Sequence, residues 1–127
     1  MVKSNTASFQ SSLYSVRRVA NVLVIENLIA DLNHPEILTS LFDKVLNKDD
    51  SGIVLHLPRP TSVTSLYLDA INEAAKKAAL QRHPFFAVVH PKLRLLMSLF
   101  QLEDLINTAP NLNDAIAAVT ELAKDYE

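Results

Sequence analysis

Residues 53–89 read IVLHLPRPTSVTSLYLDAINEAAKKAALQRHPFFAVV, and the reading of this stretch decides the fold. Ile53–Leu57 is short and almost wholly apolar, the signature of a strand covered on both faces. The loop Pro58-Arg59-Pro60 ends it, because neither proline has an N–H to give to a ladder. Helical spacing begins near Ser65 and lasts to about Gln81. On that helix Leu68, Ile71, Ala75, Ala78 and Ala79 face the sheet, while Asp69, Glu73, Lys76 and Lys77 face outward. Glu73 and Lys77 stand four apart, a pair worth about 0.3 kcal/mol. Phe85–Val89 is a second buried strand.

The pattern continues on both sides. Toward the N-terminus, Leu13–Val19 and Val22–Ile29 are two strands rich in β-branched and aliphatic residues, joined tightly by Ala20-Asn21. Asn33 caps the next helix and Glu36 follows three positions later, in the manner of a capping box. Ile37, Leu38, Leu41, Phe42, Val45 and Leu46 give that helix one apolar face. Asn47–Gly52 closes it with turn chemistry, and Asp49 and Asp50 read as a solvated cluster on the turn. Toward the C-terminus, Pro91 suits the first turn of a helix reaching Phe100. Leu105–Ala109 is a weak strand, and Asn111 caps a last helix to about Lys124. An opening strand pair followed by alternating helices and strands predicts an α/β fold with a mixed, mostly parallel sheet of four to five strands.

Length and composition narrow the class. At 127 residues the chain is one domain, large enough to bury roughly two-thirds of its unfolded surface. Residues 1–12 (MVKSNTASFQSS) read as a loose polar tail, which leaves 13–127 as the domain. Hydrophobic residues make up 49% and charged residues 20%, so the chain is not disordered as a whole. Twelve Lys and Arg against fourteen Asp and Glu leave a net charge of -2, with no overall drive toward nucleic acid or anionic membrane. There is no cysteine, which excludes disulfides, thiolate metal sites and cysteine nucleophiles. The single glycine, Gly52, excludes glycine-rich phosphate loops. No signal peptide and no run long enough to span a bilayer is present, so the expected location is the cytoplasm.

The residues that carry chemistry gather where the second helix begins. Ser65 stands at the change from loop to helical spacing, where a hydroxyl can cap the free N–H groups of the first turn. A phosphate there adds about -1.5 to -2 charge, welcome at a helix N-terminus but costly if buried against an apolar or acidic partner. Modification at Ser65 would therefore leave the fold intact and change what binds. The alternative is an unmodified cap. Leu66 shares the outward face of Asp69, Glu73 and Lys77, as a binding anchor or as a side chain folded against the Pro58–Pro60 loop; Tyr67 lies at the boundary of the two faces. His34, His56, His83 and His90 lack metal-ligand spacing, and His56 reads as a hydrogen-bonded strand histidine. Arg17, Arg18, Lys92 and Arg94 form a basic patch only if the fold unites them.

From about Val16 to Leu122 the chain resembles the STAS family, the sulfate transporter and anti-sigma factor antagonist domain. The resemblance rests on Ala30-Asp31-Leu32, the central strand Ile53–Leu57, the alanine-rich helix face over Leu68–Leu80, the strand Phe85–Val89 and the helix opening Asn113-Asp114-Ala115. Its best local match is His90 to Leu105 (HPKLRLLMSLFQLEDL), with Gln101 in the place of a family glycine. The family's phosphoswitch, Asp-Ser-(Ser/Thr)-Gly-Leu, falls on Thr64-Ser65-Leu66-Tyr67-Leu68. Ser65 takes the position of the phosphorylated serine, Thr64 replaces the acid, and Leu66 and Tyr67 replace the second hydroxyl and the glycine. A shift of one residue puts Thr64 in that position instead.

The resemblance implies a single STAS-like domain with about four helices mainly on one face of the sheet. It implies a bacterial, non-enzymatic regulator of transcription that binds a serine-kinase anti-sigma factor or a related switch protein. Thr64, Ser65, Leu66, Tyr67, Asp69 and Glu73 would form the binding surface, with release on phosphorylation of Ser65. Constitutive docking in a signalling assembly, an accessory role in a lipid-transport ABC complex, and a nucleotide or lipid ligand at the same corner are the alternatives it leaves. No cofactor or metal is implied.

Overall fold

β1 (Tyr14–Val19) and β2 (Val22–Asn27) pair antiparallel, from Tyr14 opposite Asn27 to Val19 opposite Val22. Ala20 and Asn21 close this hairpin at positive φ, 52° and 68°. Left-handed backbone at both central residues fits a type I′ turn, whose twist suits the strands it joins. The computed structural model describes residues 13–28, 31–32, 35–58, 62–99, 101 and 106–126. The proposed tail over 1–12, the Asn33 cap, His34, and the ends at Ile29, Phe100 and Leu105 lie outside the described residues.

Each later strand of the main sheet runs parallel to its neighbour. β4 (Gly52–Leu57) lies beside β2, β6 (Phe85–Val89) beside β4, and β7 (Asn107–Thr108) beside β6. Among the described residues the main sheet thus has five strands in the order β1-β2-β4-β6-β7. β3 (Asp31–Leu32) and β5 (Ser62–Val63) make a separate parallel pair. The helices are α1 (Pro35–Val45), α2 (Ser65–Leu80), α3 (Pro91–Leu99) and α4 (Leu112–Ala123), followed by a 3₁₀ turn over Lys124–Tyr126.

Alternation along the strands builds two cores. Leu23, Ile25, Ile53, Leu55 and Ala87 meet Leu38 and Phe42 of α1, Leu68 and Ile71 of α2, and Leu93 and Met97 of α3. Val22, Val24, Val54 and Val88 point the other way, onto Ala115 and Val119 of α4. Burial on both faces is why β2 and β4 carry nearly unbroken apolar runs. The mixed, mostly parallel α/β sheet is as the sequence predicts, with three helices on one face and one on the other.

Several local expectations are corrected. Ala79 is exposed and Ala74 is buried, because the inner arc of α2 centres on Ile71 and Ala78, with Ala74 on one flank of it and Ala79 beyond the other. Glu73 reaches Lys76 at 3.8 Å rather than Lys77, which approaches Asp43 of α1 at 3.9 Å. Asp50 is not solvated but 7% exposed. Its carboxylate accepts from Arg18 Nε at 2.7 Å, from Arg18 Nη2 at 3.1 Å and from the Asn47 N–H at 2.9 Å. The same Nη2 donates to the Val45 carbonyl at 2.6 Å. The end of α1 is thus tied to the edge strand, and the hydrogen bonds that Arg18 donates to Asp50 push the Arg18 pKa up. Gly52 begins β4 instead of ending a turn. A methyl there would overlap Val119 Cγ1 and stand 2.6 Å from the Pro84 carbonyl oxygen.

Candidate functional site

The parallel strands β2, β4 and β6 all end at one rim of the sheet, and α2 and α3 start from that rim. The chain leaves β4, passes through β5 and turns into α2 at Thr64. Thr64 is extended (φ -92°, ψ 157°), and its hydroxyl accepts the Tyr67 N–H at 3.2 Å. The N-cap is therefore Thr64, not Ser65, because the extended backbone from β5 ends one residue earlier than a cap at Ser65 requires. Ser65 becomes the first helical residue, exposed, with its hydroxyl free of the cap.

Leu66 is 66% exposed; Arg59 and Pro60, in the loop of the alternative packing, lie outside the described residues. Asp69 and Glu73 continue the same outward face and are exposed. Tyr67 departs from expectation: at 1% exposure it belongs to the core, so its ring is closed to any partner. Its hydroxyl is hydrogen-bonded to that of Tyr14, which also bonds the Asn27 side chain. Tyr14 and Asn27 are opposite one another across the β1–β2 hairpin, so the pairing of the first two strands sets the floor beneath the start of α2. Burial pushes both phenol pKa values up. The side-chain oxygen of Asn27, 1% exposed, has no partner.

The other singled-out residues do not join this corner. His56 and Glu26 are register neighbours on β4 and β2, on the face that α4 covers in part. Their closest approach is 3.6 Å, too long for the hydrogen bond expected of His56, whose Nδ1 has no partner. His83 is 5% exposed at the start of β6, also with an unpartnered Nδ1. His90 Nδ1 accepts the Lys92 N–H at 3.1 Å. Arg18 is bound to Asp50 below the hairpin turn, whereas Lys92 and Arg94 begin α3 at the opposite rim, so the four-residue basic patch does not form. Among the described residues no group of three potential metal ligands occurs. Cavities of about 270 and 110 Å³ open near the amino ends of β6 and β4, away from the corner. Gln101, aligned with a family glycine, has φ 59°, the left-handed backbone that glycine adopts without strain. Among the described residues no helix is long and apolar enough to cross a membrane.

No protein-family model matches the chain, and no curated protein matches it in sequence. Solved structures match it in fold. A candidate anti-sigma factor antagonist from Thermotoga maritima superposes with a TM-score of 0.72 at 22% identity, over 84% of this chain and 93% of its own. An anti-sigma factor antagonist from Mycobacterium paratuberculosis gives 0.70 at 22% identity, over 84% and 92%. A serine-to-glutamate variant of RsbS from Moorella thermoacetica gives 0.66 at 20% identity, over 87% and 97%. Agreement over nearly the whole of each chain, with the same mixed sheet and flanking helices, makes this the STAS fold, the architecture of these anti-sigma factor antagonists.

Proposed function

We propose that this chain is a non-enzymatic, protein-binding regulator of the anti-sigma factor antagonist kind. It docks on its partner, a serine-kinase anti-sigma factor or related switch protein, through Thr64, Ser65 and Leu66 and the outward residues Asp69 and Glu73. Phosphorylation of Ser65 releases it. The observation that carries this reading is a free, exposed hydroxyl at the first residue of α2 beside a leucine that is 66% exposed. The Thr64 hydroxyl is committed to the helix cap, which favours Ser65 over Thr64 as the modified residue. A phosphate at Ser65 meets the positive end of the helix, so the domain tolerates it, while an apolar or acidic partner surface does not. Tyr67 contributes by fixing the corner from beneath.

The test mixes purified protein with the serine-kinase anti-sigma factors encoded in the same genome. The wild type and Ser65→Ala should bind one of them and Ser65→Asp should not, while all three melt within a few degrees of one another. Equal binding by the alanine and aspartate variants would remove the switch and keep the docking. Unchanged binding by Leu66→Glu would remove the docking as well.

A further inference from the structure

α3 presents a second surface with no partner among the described residues. Of its nine residues, PKLRLLMSL, only Leu93 and Met97 are buried in the core. Leu95 and Leu99, one turn apart, are 63% and 70% exposed. Lys92 and Arg94 are exposed too, and neither has an ion pair among the described residues. The helix contains no acidic residue. Both cations stand near its N-terminus, where the helix dipole already favours negative charge. Two exposed leucines flanked by positive charge that has no ion pair among the described residues fit an apolar surface edged with carboxylates.

We propose that α3 is a docking surface for an acidic, amphipathic segment of another protein. Leu95 and Leu99 enter its apolar seam, and Lys92 and Arg94 meet its carboxylates. The charges argue against the other occupants. Residues 1–12 contain Lys3 and no acid, so they bring the wrong sign. A second copy related by a two-fold axis through α3 would set cation against cation. A bilayer surface needs a wider apolar face than two leucines provide. This surface does not depend on Ser65, so it stands or falls apart from the reading of the α2 corner.

The experiment titrates the ¹⁵N-labelled full chain with a synthetic amphipathic helical peptide, leucine on one face and glutamate on its flanks. A second peptide carries lysine in place of each glutamate. The expected result is amide shifts centred on Lys92, Leu95 and Leu99 with the acidic peptide and binding about tenfold weaker with the basic one. Binding should weaken as salt rises. Lys92→Glu with Arg94→Glu should reverse the preference between the peptides, and Leu95→Ser with Leu99→Ser should abolish binding without shifting the melting temperature. Equal binding of both peptides, or shifts elsewhere on the molecule, would overturn the proposal. So would a concentration-dependent dimer dissolved by Leu95→Ser, or binding to phosphatidylserine vesicles that needs Leu95 and Leu99.

Discussion

Tyr67 joins the candidate site to the core within a single residue. Its backbone N–H feeds the Thr64 cap, and its phenol reaches Tyr14 and, through it, Asn27. A buried hydroxyl without a partner costs about 1–3 kcal/mol, whereas removing both members of a pair costs much less. Tyr14→Phe, which takes from the Tyr67 hydroxyl its Tyr14 partner, should therefore destabilise the domain by about that amount, and Tyr14→Phe with Tyr67→Phe by less than the sum of the two single changes. Urea unfolding of the four proteins measures this. The pH dependence has a definite sign. Burial holds both phenols above the ordinary value of 10.0, so the unfolded chain loses these protons first. Their contribution is complete below about pH 10 and is lost as pH rises beyond it. The urea midpoint should fall steeply above pH 10 in the wild type and less steeply in the double phenylalanine variant. Equal slopes would show that the pair plays no part in alkaline unfolding. The helical wheel cannot find this cluster, since it places Tyr67 at a boundary. Only the strand register that sets Tyr14 against Asn27 brings the three together.

At the scale of elements, α2 is where the site gets its geometry. Its first turn holds no acidic residue, and one side-chain cap, Thr64, serves it. Thr64→Ala should cost about 1 kcal/mol and Ser65→Ala close to nothing. Ser65→Asp adds an acid where the helix welcomes one and should gain about 0.3–1 kcal/mol. Thermal unfolding ranks the three; a loss on Ser65→Ala equal to that on Thr64→Ala would move the cap back to Ser65. Apolar and β-branched runs made the strands of the main sheet legible in the sequence, and periodicity made α2 legible with most of its inner face and the outward aim of Leu66; the two-residue strands β3 and β5 are too short to leave such a signal. Its limit lies at the ends of elements. At the start of α2 the cap depends on where the extended backbone of β5 stops, and neither Thr64 nor Ser65 signals that by its chemistry. In the last turn Leu80, 85% exposed, lies on the outward arc of Leu66, Asp69 and Glu73, while Ala78 beside it is 1% exposed. Asp50 was hidden for a different reason. Its partner Arg18 lies 32 positions away, across a hairpin and a helix.

For the whole molecule, helices pack on both faces of the sheet while α2 and α3 start from one rim of it. Among the described residues α1, α2 and α3 cover one face, and α4 covers the centre of the other by crossing β4 and β6. One helix can bury Val24, Val54 and Val88 only if it sits close, and Gly52 permits the approach. A side chain there meets Val119 of α4 and the Pro84 carbonyl, whose oxygen accepts the Ile53 N–H at 2.8 Å. Gly52→Ala should therefore push α4 away from the sheet or distort the β4–β6 pairing, at a cost of about 1–3 kcal/mol. Val119→Ala removes the flexible half of the clash but not the carbonyl, so in the Gly52→Ala background it should add less destabilisation than it does alone. The corner at Thr64–Leu66 belongs to the opposite face and the opposite end of β4, so its amide shifts should stay unchanged in Gly52→Ala. Loss of partner binding in a folded Gly52→Ala protein would mean that the α4 face, rather than the α2 corner, meets the partner.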